Sequence, residues 1–410
     1  MLINQTFEID SCDDVELNIK RTSKLEYRIS YDDEKEIKAI VFIIPGFGGD
    51  ADGNYRKHLV EYVAKEFQIM VVSVNYHCIK NRLQFGASLF MDNIDKFILQ
   101  ENCTAFNIAI PIHLNKITDI LSYLDENMEK LKNEEKIKEN AKMSLSITLE
   151  PGKNEYQNFG VMQAQDLINA LLHLKKEKYN LLENIPVIMI GSSHGGYLAH
   201  LAAKIAPWLV DGVIDNSSYA KTPLQYLGFG KEIDYMRHYE ACDISNSFKN
   251  LNLLFYSKTF WTSNKFLKNY FSKDKSLVRD ILNYKHLNIM SNYDICFISY
   301  HSIQDDYIAP IGDKILLYDY LNKLNIDAEL NIIRHKEQID GRFIKNLEHG
   351  MGMSIKFLIN NNLPKLFAKI QLKKRIVRQK TVSYPCQDLI YTFYEENNKI
   401  NLKIEENICS

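Results

Sequence analysis

Five consecutive residues, Gly191-Ser192-Ser193-His194-Gly195, constrain the fold of this chain more than any other segment. The residues before them, 185–190, have the apolar and β-branched composition of a strand buried on both faces, and residues 197–205 predict a helix. A serine at such a strand-to-helix turn has a strained backbone, and flanking glycines remove side chains that would clash there. The motif therefore predicts an exposed nucleophile at Ser193, whereas the alternative is an ordinary glycine-rich turn.

Apolar runs alternate with segments of helical periodicity along most of the chain. The runs predicted as buried strands are 39–44, 69–74, 185–190, 210–215, 295–299 and 328–333. The predicted helices are 54–66, 160–176, 197–205, 312–324 and a segment after Ser354. Two short alternating strands, 15–19 and 25–29, come first, and residues 389–394 with 400–404 predict a terminal hairpin. This order predicts an α/β fold with a mostly parallel sheet and helices on both faces.

A serine nucleophile requires a base, and that base requires an acid to orient it. When the serine occupies a turn of this kind, the acid and then the histidine follow it along the chain. Asp305 or Asp306, after the fifth predicted buried strand, can supply the acid. His335 and His349 both follow the last predicted buried strand. We favour His349, because a loop before a helix lets its ring reach back to the serine, and we expect His335 on the surface.

The negative charge that develops on a substrate carbonyl oxygen requires two backbone N–H donors, which together form an oxyanion hole. One donor is expected from His194, the residue after the nucleophile. The other is expected from the loop 45–49, which follows the first predicted buried strand and reads Pro-Gly-Phe-Gly-Gly. We favour the Phe47 N–H as the second donor, with Gly48 as the alternative.

These segments resemble the α/β-hydrolase superfamily, in particular its prolyl-oligopeptidase-like and esterase branch. The acid motif of that branch reads His-Gly-x-x-Asp-x-x-Val-Pro, and His301-Ser302-Ile303-Gln304-Asp305-Asp306-Tyr307-Ile308 is similar to it, which selects Asp305 over Asp306. Residues 160–166 are similar to the helix that precedes the nucleophile strand there. The departures are Pro45, where many members have His, and Ser302, where Gly is usual. The whole chain is also similar to a bacterial family of hydrolase-like proteins encoded near flagellar glycosylation genes.

The resemblance implies a hydrolase core that is interrupted by insertions, one of which is a lid. Most aromatic rings in that lid are expected to form its own core, and a few to face a substrate pocket. The basic run 369–380 is expected to be a solvated helix face. The expected parts of the chain are N-terminal strands with the oxyanion loop (1–77), a helical insertion (78–155), the nucleophile segment (156–220), the aromatic lid (221–291), the acid and histidine segment (292–362), and a basic segment with the terminal hairpin (363–410).

Composition excludes several other classes of function. The net charge is −2, with 50 Lys and Arg against 52 Asp and Glu, so we expect no nucleic-acid partner. The 7 cysteines are scattered without a CxxC pair, which favours a reducing, cytoplasmic location over a disulfide framework. No signal peptide is visible and the apolar runs are too short for a membrane span.

No cofactor or metal is expected. Residues 46–51 match the dinucleotide pattern G-x-G-x-x-A, but the acidic residue expected after the next strand is missing, since Val74 leads into Asn75. Clustered Cys and His residues of the kind that bind a metal are also missing.

The function predicted from these residues is that of a serine esterase or deacylase acting through an acyl-enzyme. The partner is a small-molecule acyl substrate, and the resemblance to proteins encoded near glycosylation genes favours an acylated sugar. An ester is favoured over a peptide because the sequence shows no separate propeller domain. The alternatives are a serine peptidase and a hydrolase-fold protein that only binds or assembles. The sequence leaves the acyl group, the leaving group and the oligomeric state open.

Overall fold

The computed structural model describes residues 1–410 except Asp50, Ile112, 179–181, Glu183, 226–228, 237–242, 372–378 and 409–410. Most of the basic run 369–380 and two rings of the expected lid, Tyr226 and Tyr239, lie outside the described residues. The chain divides into two compact units. The first comprises Met1–Ile79, Asn158–Thr222 and Ser272–Ser410, and the second comprises Lys80–Gln157 and Pro223–Phe271.

The strands and helices are numbered in chain order. The strands are β1 (Leu2–Ile9), β2 (Leu25–Asp32), β3 (Ile40–Ile44), β4 (Met70–Asn75), β5 (Ser88–Phe90), β6 (Met143–Glu150), β7 (Val187–Ser192), β8 (Gly212–Asn216), β9 (Leu251–Ser257), β10 (Cys296–Ser302), β11 (Ala328–Ile333), β12 (Thr381–Cys386), β13 (Leu389–Glu396) and β14 (Lys399–Glu406). The α-helices are α1 (Asn54–Phe67), α2 (Asn93–Ala105), α3 (Ile117–Asn133), α4 (Val161–Glu177), α5 (His194–Ile205), α6 (Lys273–Arg279), α7 (Tyr284–Met290), α8 (Ile311–Lys323) and α9 (Ile355–Gln371).

The first unit is built around an 8-stranded sheet with the order β1-β2-β4-β3-β7-β8-β10-β11. β1 pairs antiparallel with β2, and β2 pairs antiparallel with β4. From β4 to β11, neighbouring strands are parallel. Because parallel strands end at the same edge of a sheet, the loops after β3, β7, β8, β10 and β11 converge there. This is the α/β-hydrolase fold that the sequence predicted.

Helices cover both faces of the central strands of this sheet, which explains why a strand such as β3 is apolar throughout. In β3, Ile40, Phe42 and Ile44 point into a core shared with α4 and α5. Val41 and Ile43 point the opposite way, into a core shared with α1 and α9. All five side chains are at most 1% exposed. Burial of each stabilises the fold by about 1.5–3 kcal/mol relative to exposure.

The C-terminal part of the first unit is a separate antiparallel sheet, β12-β13-β14. The predicted hairpin corresponds to β13 and β14, but β12 adds a third strand that the prediction lacked. This sheet packs against the hydrophobic core that includes α5. The Tyr384 hydroxyl donates a hydrogen bond to the Lys204 carbonyl of that helix at 2.6 Å. The Lys204 ammonium is buried and donates to the carbonyls of Val278 and Asp280.

The N-terminal excursion between β1 and β2 differs from its prediction. Residues 15–19 do not form a strand, and only an isolated bridge joins Asp14 to Ile19. Instead, two buried ion pairs attach this segment to α6 and α4. Glu16 pairs with Arg279 at 2.6 Å, and Arg21 pairs with Asp166 at 2.8 Å.

The second unit contains the sheet β5-β6-β9 together with α2 and α3. The segment 78–155 was expected to be a helical insertion, but it holds two strands as well as helices. β6 pairs in parallel with β9, so 80–157 and 223–271 share one core. Residues 272–291, placed in the lid by the prediction, belong to the first unit. Among the described helices, none combines the length and apolar composition that a membrane crossing requires.

Candidate active site

Ser193 lies between the end of β7 and the start of α5. Its backbone is strained, with φ 54° and ψ −122°, and its N–H donates to the Asn216 carbonyl at 2.8 Å. A Cβ atom on Gly191 would lie 2.2 Å from the carbonyl carbon of Gly195. A Cβ atom on Gly195 would lie 2.3 Å from the carbonyl oxygen of Ile44. Only glycines fit this close approach, so the motif forms the turn that the sequence predicted.

Three polar side chains from three loops meet at this turn. The Nε2 atom of His349 lies 2.8 Å from the Oγ atom of Ser193. The Nδ1 atom of the same ring lies 2.6 Å from Oδ2 of Asp305. A carboxylate accepts hydrogen bonds, so Nδ1 carries the hydrogen and Nε2 faces the serine hydroxyl as an acceptor. The Asp305 side chain is 2% exposed and the His349 side chain 21%, which leaves the histidine open to solvent.

The loop after β10 orients the Asp305 carboxylate through a backbone N–H. The second carboxylate oxygen, Oδ1, accepts from the Ala309 N–H at 3.1 Å. His301 Nε2 donates to the Ala309 carbonyl at 2.7 Å. Burial, and to a smaller extent the charge of Lys314, lower the pKa of His301 to about 4, so the ring is neutral at pH 7. Asp306, the alternative acid, is exposed, and the carboxylate that contacts His349 is that of Asp305.

The loop that carries His349 is tied to the ends of β8 and β10. The Gly350 N–H donates to Ser217 Oγ at 3.0 Å, and the Gly350 carbonyl accepts from Asn216 Nδ2 at 2.9 Å. Ser302 Oγ donates to the Leu347 carbonyl. No role was predicted for Asn216 and Ser217 from the sequence. The polar residues 216–218, which come directly at the end of a buried strand, could have indicated that they belong to the site.

His335 is exposed on a short turn after β11, and its N–H donates to Gln338 Oε1 at 3.0 Å. It does not contact Ser193 or Asp305 in the described part of the chain. The structure thus brings together Ser193, Asp305 and His349 and leaves His335 outside.

The loop after β3 passes directly beside the nucleophile. A Cβ atom on Gly46 would lie 3.1 Å from the Ser192 carbonyl oxygen and 3.9 Å from Ser193 Cβ. The Tyr76 hydroxyl donates to the Pro45 carbonyl at 2.9 Å and so holds the start of the loop. The ring of Phe47 contacts the ring of His194 edge to face, with centroids 5.7 Å apart.

His194 is the first residue of α5. The N–H groups in the first turn of a helix have no partner within the helix, and the helix dipole there favours negative charge. The backbone N–H of His194 is thus suited to an anionic oxygen. The two residues predicted to supply the donors, Phe47 and His194, contact each other through their rings.

A buried ionic cluster supports the sheet behind this turn. Asp215 on β8 accepts from Lys314 Nζ at 3.0 Å, from His200 Nε2 at 2.9 Å and from Ser299 Oγ at 3.0 Å. Burial alone raises the pKa of Asp215, but Lys314 and the His200 hydrogen bond hold that pKa below its ordinary value. The Asp215 Cβ atom would lie 2.9 Å from a Cβ atom on Gly196, so this cluster packs directly against α5.

The sheet order and the strained serine in its strand-to-helix turn define an α/β-hydrolase-fold protein. Within that class, the chain belongs to the family described as "Protein of unknown function (DUF2920)", whose profile matches residues 5–404. A comparison with curated proteins found no match.

Solved structures with a similar fold include peptidases and esterases. An acylaminoacyl peptidase of Pyrococcus horikoshii is 14% identical, with 92% of this chain and 43% of that chain covered and a TM-score of 0.47. An esterase of Rhizomucor miehei is 11% identical, with coverage of 91% and 85% and a TM-score of 0.45. Est1E of Butyrivibrio proteoclasticus is 13% identical, with coverage of 85% and 96% and a TM-score of 0.43. The chain spans less than half the length of the peptidases it matches, and at these values the similarity carries no inference about activity.

Proposed function

We propose that this protein is a serine hydrolase that cleaves an acyl ester through a covalent acyl-enzyme. One observation carries the proposal: a continuous hydrogen-bonded path runs from Ser193 Oγ through His349 to Asp305, with distances of 2.8 Å and 2.6 Å. A nucleophile within hydrogen-bond reach of a base that is itself oriented by an acid is the arrangement that nucleophilic catalysis requires.

In the acylation step, Ser193 Oγ attacks the carbonyl carbon of the substrate while His349 Nε2 takes the hydroxyl proton. The carbonyl π electrons move to oxygen, and the N–H groups of His194 and Phe47 donate to the resulting oxyanion. Asp305 stabilises the imidazolium through Nδ1–H. The tetrahedral intermediate collapses, the bond to the leaving group breaks, and His349 gives its proton to the leaving alcohol.

Deacylation repeats these roles with water as the nucleophile. His349 Nε2 removes a proton from a water molecule, and the hydroxide oxygen attacks the acyl carbon. The second tetrahedral intermediate expels Ser193 Oγ, which recovers its proton from His349. The products are the carboxylic acid and the regenerated enzyme, so neither an oxidant nor a metal is consumed.

The proposed substrate is a small acyl ester, and O-acylated sugars are the first group to test. The exposed side of His349 is compatible with solvent water as the deacylating nucleophile. A serine peptidase would use the same side chains on an amide. A protein that only binds or assembles would retain the fold without turnover.

Labelling with a fluorophosphonate probe tests the proposal. The wild-type protein should be labelled, Ser193→Ala should not, and Ser192→Ala, the matched control at the adjacent serine, should keep most of the labelling. Mass spectrometry of the peptide should place the adduct on Ser193. Wild-type protein that is folded yet takes no label at Ser193 would contradict the enzyme proposal and favour the binding protein.

Substrate class requires a second measurement. Hydrolysis rates should be compared for p-nitrophenyl acyl esters, acetylated sugars and aminoacyl p-nitroanilides at the same concentrations. We expect turnover of esters with little turnover of anilides. Faster turnover of the anilides would replace the esterase proposal with that of a peptidase.

A further inference from the structure

The imidazole ring of His194 is buried, and both of its nitrogens have hydrogen-bond partners. Nε2 lies 3.0 Å from Oε1 of Gln163, and Nδ1 contacts the hydroxyl of Tyr219. The residue is 1% exposed. Burial lowers the pKa of His194 to about 3, so the ring is neutral at pH 7 and carries one N–H only. One partner must therefore accept from the ring and the other must donate to it.

Gln163 decides which nitrogen carries the hydrogen. Its Nε2 atom lies 3.0 Å from the backbone carbonyl oxygen of His77. A carbonyl only accepts, so the NH2 group of the Gln163 amide faces His77 and the amide oxygen faces His194. The Nε2 atom of His194 therefore donates to Gln163, and its Nδ1 atom accepts from the Tyr219 hydroxyl.

Asp166, which is close to Gln163 on α4, binds the backbone N–H of His77, whereas Gln163 binds its carbonyl. Asp166 Oδ2 accepts from the His77 N–H at 2.7 Å, and Arg21 Nη1 donates to Asp166 at 2.8 Å. Gln163 and Asp166 are both fully buried, so water does not compete for these bonds. Donation runs in one direction from the His194 ring to Gln163 and on to the His77 carbonyl, and Asp166 accepts from both the His77 N–H and Arg21 of the N-terminal excursion.

The His194 ring belongs to one residue of the proposed oxyanion hole and contacts the side chain of the other. Its own backbone N–H is one proposed donor, and its ring packs against the ring of Phe47, whose N–H is the other. The orientation of the imidazole therefore determines how the side chains of the two donor residues pack against each other.

We infer that Gln163 is a positioning residue: it fixes the His194 ring in its Nε2–H form and thereby places the two N–H donors of the oxyanion hole. The inference rests on the proposed function. Without the Gln163 amide, the His194 Nε2–H and the His77 carbonyl both lose a buried partner, and the ring is free to turn toward other acceptors. Because the oxyanion exists only in the transition state and the tetrahedral intermediates, the loss falls on turnover rather than on substrate binding.

Gln163→Leu tests this role with Gln165→Leu as the matched control. Gln165 is 2% exposed on the same helix, and its amide is not a described partner of the His194 ring. With the ester that the wild type turns over best, Gln163→Leu should lower kcat roughly 10- to 100-fold and leave KM within about twofold, because a displaced donor costs less than the roughly 10²- to 10³-fold of a deleted one. Gln165→Leu should change kcat by less than about threefold. An equal loss of kcat in both variants would overturn the inference.

A measurement on the wild-type protein tests the ring itself, so the inference does not depend on the folding of Gln163→Leu. Two-bond ¹H–¹⁵N correlation spectra of protein labelled in histidine distinguish the two neutral forms, and His194→Gln identifies the His194 signals. We expect the Nε2–H form, and the Nδ1–H form would overturn the inference. The two proposals fail separately. A wild type without Ser193 labelling refutes the hydrolase, whereas an active wild type matched by an equally active Gln163→Leu refutes only the positioning role.

Discussion

His349 Nε2 lies 2.8 Å from Ser193 Oγ, although 156 residues separate them along the chain. The contact forms because the loops after β7 and β11 meet at the edge where the parallel strands end. The Ser217 hydroxyl and the Asn216 amide hold the backbone next to the histidine, so the position of the ring is set by β8 as well as by its own loop. Two predictions test this pairing, a third tests the close packing at the serine turn, and a fourth tests the buried histidines.

His349→Ala should abolish turnover of an ester substrate. The variant removes the proposed base for Ser193, and we expect kcat to fall by about 10³- to 10⁶-fold, the loss seen when a member of an established catalytic triad is removed. Steady-state hydrolysis and the rate of fluorophosphonate labelling are the measurements. His335→Ala is the control, because His335 is exposed on its turn and should keep wild-type rates. If His335→Ala were inactive and His349→Ala active, the base would be His335.

Asp305→Asn should lower kcat by roughly 10³- to 10⁴-fold with a smaller effect on KM. The amide cannot stabilise the imidazolium, and its NH2 group favours a histidine whose Nε2, facing the serine, carries the hydrogen. Asp306→Asn changes the same charge one residue away at an exposed site and should leave kcat within about twofold. Comparable losses of kcat in the two variants would mean that kcat depends on the net charge of this loop and not on the 2.6 Å hydrogen bond between Asp305 and His349.

Gly195→Ala should destabilise the fold or prevent folding. The added Cβ atom would lie 2.3 Å from the Ile44 carbonyl oxygen, so β3 and α5 would have to separate, at a cost of about 3 kcal/mol or more. Gly312→Ala places a methyl group where no atom lies within 4 Å, at the start of α8. That control should be neutral or stabilising by up to about 1 kcal/mol. Urea unfolding followed by circular dichroism measures both, and equal stabilities would contradict the close approach.

Stability should fall as the pH decreases from 7 to 5. Burial lowers the pKa of His194 to about 3, of His301 to about 4 and of His286 to about 2, against about 6.5 in an unfolded chain. The unfolded state therefore takes up protons first. The contribution of each ring is complete above pH 6.5 and decreases below it by about 1.4 kcal/mol per pH unit until its folded-state pKa is reached.

The free energy of unfolding in urea, measured at several pH values from 7.5 to 5, checks this dependence. His286→Gln retains an N–H for the Pro385 carbonyl, which His286 Nε2 contacts at 2.9 Å, and removes one titrating ring. For His286→Gln, the slope of the free energy of unfolding against pH should correspond to the uptake of about one proton fewer than in the wild type. His335→Gln changes an exposed site and should keep the wild-type slope. A free energy that stays constant over this range would show that the three rings are not buried in their neutral form.

Much of the sheet could be predicted because its central strands are short, apolar and β-branched. Once these strands are taken to be parallel, the loops that follow them must lie at the same edge of the sheet. Ser193, Asp305 and His349 each follow such a strand, so their meeting could be anticipated from sequence. The sequence of β6 also indicates a strand, since Met143–Glu150 alternates apolar and polar residues, but the whole of 78–155 was predicted as a helical insertion. β12 contains Pro385, which argues against a strand interior, yet β12 lies at the edge of its sheet and tolerates the missing N–H.

The supporting contacts of the site were not predictable in the same way. Gln163 is a polar residue on a helix, and such residues are usually exposed; its burial depends on His77 and His194, which only the tertiary fold brings near. The same holds for the ion pair of Glu16 with Arg279, which are far apart in sequence and fully buried together. Sequence patterns indicate which face of a helix or strand is apolar, but they do not indicate which polar side chains form hydrogen bonds or ion pairs with one another in the protein interior.

The contact of Tyr384 with Lys204 has a consequence for the order in which the protein is made. Lys204, on the helix that begins beside the nucleophile, precedes Tyr384 by 180 residues. At about 5–20 residues per second, a ribosome needs roughly 10 to 40 s to cover that distance. Throughout that interval the nascent chain already contains Ser193 but lacks the sheet that packs against its helix. Activity is therefore expected only after the C-terminal strands have left the ribosome, even though the serine is synthesised in the first half of the chain.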